Sequence, residues 1–146
     1  MSNFKTDLKN YIQKNYWNNP WFIQDELKEL FEEPLIQEPE NYFIRPIFIN
    51  DSDGKQRIKL EILVLNTNSI LDIGIHENGY DIGYSNLKAI SIINQNSRRV
   101  KEKKVFDITI YLNNNATYHY NSLNQSEFKR LSEVINEIKR KLDNVA

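Results

Sequence analysis

Two histidines, two basic clusters and one acidic turn are the places where this sequence offers chemistry. His76 and His119 fall in different strand-like segments, and neither sits in a pattern that supplies it with a proton-relay partner. His76-Glu77 lies near Asp72 and Asp81, but two or three ligands on one hairpin fall short of a closed metal site. There is no cysteine, which excludes thiol catalysis, disulfides and thiolate-bound metals. With four glycines there is no Gly-rich phosphate loop, and no His-x-x-x-His pair or nucleophile elbow occurs. Asp51-Ser52-Asp53-Gly54 opens like a calcium loop, yet the fifth position is Lys55 and the twelfth is Ile62, so it reads as a turn. No catalytic, cofactor-binding or metal residue is therefore assigned, and a non-enzyme is expected.

The basic clusters are better candidates. Lys55, Arg57 and Lys59 alternate, which places three cations on one face of a strand. Arg98, Arg99, Lys101, Lys103 and Lys104, broken only by Val100 and Glu102, are expected in a loop between a fifth and a sixth strand. The second set suits an acidic lipid surface, a nucleic acid backbone or an acidic protein, the acidic 25–40 segment of this chain or of a second copy included; for either set the plain alternative is a solvated face. Asp51 and Asp53 weaken the first set as a phosphate site. Nucleic acid is disfavoured, because no aromatic side chain interleaves with the bases for stacking. Trp17 and Trp21 bracket an Asn-Asn-Pro break and read as a partner surface, or as a staple holding the helices onto a sheet. Seven acids between Asp25 and Glu40 face a single base, Lys28, as a wet face and acidic linker.

The elements that must position these residues follow from periodicity. The 146 residues suit one domain, with 40% apolar and 27% charged residues and a net charge of −1. That near-neutral balance argues against whole-protein attraction to nucleic acid or membrane. No apolar run approaches the roughly 18 residues of a membrane helix, so an integral membrane protein is not expected. The first residues lack the apolar stretch of a signal peptide, which implies a cytoplasmic start. Twenty asparagines are dispersed along the chain and mark its loops.

Phe4, Leu8, Tyr11 and Ile12 form one helical stripe, and Ile23, Leu27, Leu30 and Phe31 a second after Pro20. From residue 42 the period changes to two. Strands are expected at Tyr42–Ile49, with Pro46 marking an edge, then around Ile58–Val64, Ile70–Ile75, Tyr80–Tyr84, Leu87–Ile93, Phe106–Leu112 and Thr117–Tyr120. Asn124 and Glu127 make a capping box, with Leu123 and Phe128 as a staple, ahead of the stripe Phe128, Leu131, Ile135, Ile138 and Leu142.

Three segments carry a resemblance: Leu65-Asn66-Thr67-Asn68-Ser69-Ile70-Leu71-Asp72-Ile73, Gly83-Tyr84-Ser85-Asn86-Leu87-Lys88-Ala89-Ile90, and Ile108-Thr109-Ile110-Tyr111-Leu112 turning into Thr117-Tyr118. In this order, and closed by one amphipathic helix, they resemble bacterial pleckstrin-homology-like and GRAM-type domains over residues of about 42–142. The resemblance implies either phosphoinositide binding through bases around the first hairpin, where Lys55, Arg57 and Lys59 stand, or protein binding.

The expected protein is thus an α+β chain forming a single domain over 1–146. Two N-terminal helices (1–40) pack on a pleckstrin-homology-like antiparallel sandwich or barrel of about seven strands, capped by the C-terminal helix. Its expected role is a non-enzymatic, cytoplasmic interaction module of bacterial character, an adaptor or inhibitor that binds a protein and needs no cofactor. A peripheral module for acidic lipid headgroups is the alternative. A small enzyme or ligand binder on a cone-shaped sheet comes third.

Overall fold

A computed structural model describes residues 3–16, 26–50, 52–54, 56–76 and 79–145. The elements run α1 (Phe4–Tyr16), α2 (Glu26–Phe31), β1 (Asn41–Asn50), β2 (Gln56–Leu65), β3 (Ser69–His76), β4 (Gly79–Asn86), β5 (Ile90–Val100), β6 (Lys103–Leu112), β7 (Thr117–Ser122) and α3 (Gln125–Val145). The α+β class and seven antiparallel strands closed by a helix are as expected. The strands do not form one seven-stranded sandwich. They divide into a four-stranded sheet, β1-β2-β3-β4, and a three-stranded sheet, β5-β6-β7. Between β4 and β5 the Asn86 side chain accepts a hydrogen bond from the Lys88 N–H and opens a 3-10 turn at Leu87–Ala89. The chain forms two compact units, Met1–Thr67 with Leu71–Gly83, and Asn68–Ile70 with Tyr84–Ala146.

In the first unit, β1 pairs with β2 in a register that sets Ile44 opposite Ile62 and Phe43 opposite Leu63. Pro46 lies on β1 at the sheet edge, where its missing N–H removes no ladder bond from a central strand. Ile44, Leu60, Ile62, Val64, Leu71, Ile73 and Ile75 form one core with Phe4, Leu8, Ile12, Leu30 and Ile36. The stripe expected for α1 is therefore the face it buries. Phe4 meets Tyr42 edge-on at 5.0 Å, and the Tyr42 hydroxyl donates to the Asp7 carboxylate.

Of the two expected N-terminal helices only α1 is substantial among the described residues. Among the described residues the second is the six-residue α2. The Gln37 amide closes its end, donating to the Phe31 and Glu33 carbonyls at 2.9 and 2.8 Å. Pro34 then opens a 3-10 turn, since its ring cannot continue the α-helical ladder. Trp17 and Trp21 lie outside the described residues. No described helix is long and apolar enough to cross a membrane.

In the second unit, α3 lies on one face of its sheet. Leu131, Val134, Ile135 and Ile138 are fully buried, as are Ile108 and Ile110. Val134 belongs to the stripe although the 3-4 spacing read from the sequence passes over it. Asn124 caps the helix as expected, accepting from the Glu127 N–H at Oδ1 at 2.9 Å, while the returning Glu127 Oε1 accepts from the N–H of Leu123, one residue before the cap, at 2.9 Å. Phe128 packs edge-on against Phe106 at 5.1 Å, while Leu123 is half exposed. Asn124→Ala removes an N-cap acceptor and is expected to lower stability by about 1 kcal/mol. A shifted urea midpoint with an unchanged slope is the check.

Candidate functional site

The first basic cluster does not assemble into a described site. Lys55 lies outside the described residues. Arg57 stands on β2 opposite Ile49, but its side chain is likewise outside the described set. Lys59, opposite Ile47, is half-buried. Its stem lies along Gly74 of β3, where an added Cβ would sit 3.0 Å from Lys59 Cε. Lys59 Nζ lies 3.5 Å from the same point, so the side chain covers the neighbouring strand along its length.

The second cluster is placed differently from its expectation. Arg98, Arg99, Lys101, Lys103 and Lys104 are not in a long polar loop. β5 runs on through residues 94–100 and returns as β6 after the two-residue turn Lys101-Glu102. The register sets Arg98 opposite Val105, Arg99 opposite Lys104 and Val100 opposite Lys103. β7 pairs with β6 only from Phe106 to Tyr111, so these three pairs extend beyond the third strand as a two-stranded ribbon. Residues 98–104 are all exposed. Paired residues share a face and faces alternate along a strand. Arg99 and Lys104 therefore occupy one face of the ribbon, and Arg98, Val100 and Lys103 the other.

Among the described residues, two of the five cations have partners in the fold. Arg98 Nε lies 3.2 Å from Asp107 Oδ2, and Lys104 Nζ lies 4.7 Å from the centre of the Phe128 ring. The turn itself is strained. Lys101 and Glu102 have φ of +49° and +69°, a conformation that Asn-Gly adopts easily and longer side chains resist.

Below the ribbon, the sheet face turned away from α3 is polar. Two rows cross it, Asn94–Thr109–His119 and Asn96–Asp107–Asn121, brought together by the β5–β6 and β6–β7 registers. With Arg98 they line a concavity of about 280 Å³. His119 Nδ1 and Thr109 Oγ1 are 3.0 Å apart. Of its residues the sequence singles out only His119 and Arg98, since the others meet only through the register.

His76, the other histidine, has Nε2 3.3 Å from Asp81 Oδ2, with both side chains well exposed. Among the described residues no three His, Asp or Glu side chains converge on a point. Tyr80 is partly buried against the core of the first unit, and its phenol is held above its usual value by burial and by a hydrogen bond with Glu29. Compared with protein-family models, curated proteins and solved structures, the chain matches none.

Proposed function

We propose that this chain is a non-enzymatic protein-interaction module, an adaptor or inhibitor, whose contact surface is the β5–β6 ribbon and whose partner presents an acidic cleft. The observation that carries this reading is the placement of cations on both faces of a two-stranded ribbon, closed by a strained turn. A flat surface meets one face of such a ribbon; a cleft in a protein meets both. Backbone outliers concentrate where function holds them, and Lys-Glu stands where an unstrained hairpin would have Asn-Gly. The succession of seven strands and a C-terminal helix supports the pleckstrin-homology-like reading of residues 42–142, and with it a cytoplasmic module of bacterial character.

Acidic lipid headgroups are the second reading. It draws on Val100, an apolar side chain 46% exposed between Arg99 and Lys101 at the ribbon's end, which fits an interface that is both anionic and apolar.

The test is fluorescence anisotropy with a short Glu- and Asp-rich peptide, set beside phosphatidylserine vesicles and duplex DNA. Peptide binding that weakens as ionic strength rises is the expected result, because exposed ion pairs are screened within about 10 Å at 0.1 M salt. Binding to vesicles alone would transfer the site to lipid. Retention of DNA alone, or of nothing, would overturn both readings.

A further inference from the structure

We propose that the polar concavity on the β5–β6–β7 face is a binding site for an uncharged saccharide. It adjoins the ribbon, with which it shares Arg98, and does not depend on the acidic-partner reading. The chemistry of the lining selects the ligand class. Arg98 and Asp107 form an ion pair at 3.2 Å, and Asp107 is only 17% exposed, so the one cation and the one anion of the site offset each other. A phosphate or carboxylate drawn to Arg98 would face the Asp107 carboxylate, and an ammonium drawn to Asp107 would face the guanidinium.

The remaining groups carry donors and acceptors together. Asn94 and Asn96 each present an amide N–H and a carbonyl oxygen. His119 engages Thr109 through Nδ1, which leaves Nε2 for a ligand. Neighbouring hydroxyls on a pyranose ring are likewise donor and acceptor at once, and are bound where amides and a charge pair alternate over a few ångströms. The row spacing supplies this, with successive same-face residues about 7 Å apart along a strand and strands about 4.8 Å apart.

An aromatic side chain lies just outside the concavity's lining: Tyr111 follows Asp107 and Thr109 on the same face of β6 and is 38% exposed. A tyrosine ring next to hydrogen-bonding amides gives the apolar face of a sugar a surface to lie on. At about 280 Å³, open to one side, the site is at the small end of ligand pockets and suits the terminal ring of a glycan.

The test is a two-dimensional amide NMR titration of the full chain. The probes are the methyl pyranosides of glucose, galactose, mannose and N-acetylglucosamine, each to about 50 mM, where ligands with millimolar dissociation constants saturate. Sodium phosphate and sodium acetate are added in parallel. One or more pyranosides are expected to move the signals of Asn94, Asn96, His119 and Asn121, with binding weakened about tenfold by Asn96→Ala with Asn121→Ala, a loss of about 1.4 kcal/mol. If that double variant fails to fold, Asn96→Ser alone carries the comparison, since Asn96 is exposed. Signals that respond to no pyranoside, or only to phosphate or acetate, would overturn the proposal. So would pyranoside binding that these variants leave unchanged.

Discussion

Ile135→Ala is expected to lower the free energy of unfolding by roughly 2–5 kcal/mol, the range for deleting a large aliphatic side chain from a closed core. The expectation rests on where α3 sits. Ile135 is fully buried, flanked along the helix by Leu131, Val134 and Ile138, which are equally inaccessible. The sheet beneath contributes Ile108 and Ile110 at no exposure, with Tyr120 at 1%. Three strands without a cover would leave this face in water, so α3 is structural and its stripe has little freedom to refill a cavity. A domain holds about 5–15 kcal/mol in all, and this single change takes a large share of it.

The contrast within the same helix is Glu133→Ala. Glu133 pairs with Arg130 at 3.3 Å, with both side chains more than 40% exposed, and such pairs contribute about 0–1 kcal/mol. Urea unfolding of both variants should separate them clearly. An Ile135→Ala loss no larger than that of Glu133→Ala would mean that α3 does not close the sheet as described.

Much of this fold is legible in the sequence because burial enforces a period. Phe106, Ile108, Ile110 and Leu112 alternate with polar residues since one face of β6 meets α3 and the other does not, and that asymmetry is what the alternation reports. The helix start at Asn124 is legible for a different reason: a capping box is a hydrogen-bond arrangement written in four consecutive positions.

The second half of β5 carries no such mark. Asn94 to Val100 is exposed nearly throughout, so neither face imposes an apolar period, and the segment reads as a polar loop. Its pairing with β6 holds it extended all the same. The turn that follows is equally silent, because Lys101-Glu102 adopts a conformation for which its residue types give no signal. The polar concavity is invisible for a third reason. Its side chains come from three strands, and only the register brings Asn94, Thr109 and His119 into one row.

Replacing Arg99, Lys101 and Lys103 together by Glu is expected to weaken binding of an acidic partner by about two orders of magnitude, within the range over which electrostatic complementarity changes association. These three are chosen because the fold leaves them for a partner. Arg98 is left intact since it holds Asp107, and Lys104 since it lies over Phe128. The reversal therefore changes the field of the ribbon while sparing the contacts that anchor it, and the thermal midpoint should move little.

A second variant separates charge from shape. Lys101→Asn with Glu102→Gly substitutes the turn that the backbone prefers and keeps the net charge of the ribbon. Relief of left-handed strain is worth about 1–2 kcal/mol per residue, so this protein should be more stable than the natural one. Affinity for the acidic peptide should stay within about threefold if long-range attraction dominates. A larger loss would place Lys101 in direct contact with the partner and explain why the strained pair is kept. Should the triple reversal bind as tightly as the natural sequence, the ribbon is not the contact surface, and its five cations are a solvated end of the sheet.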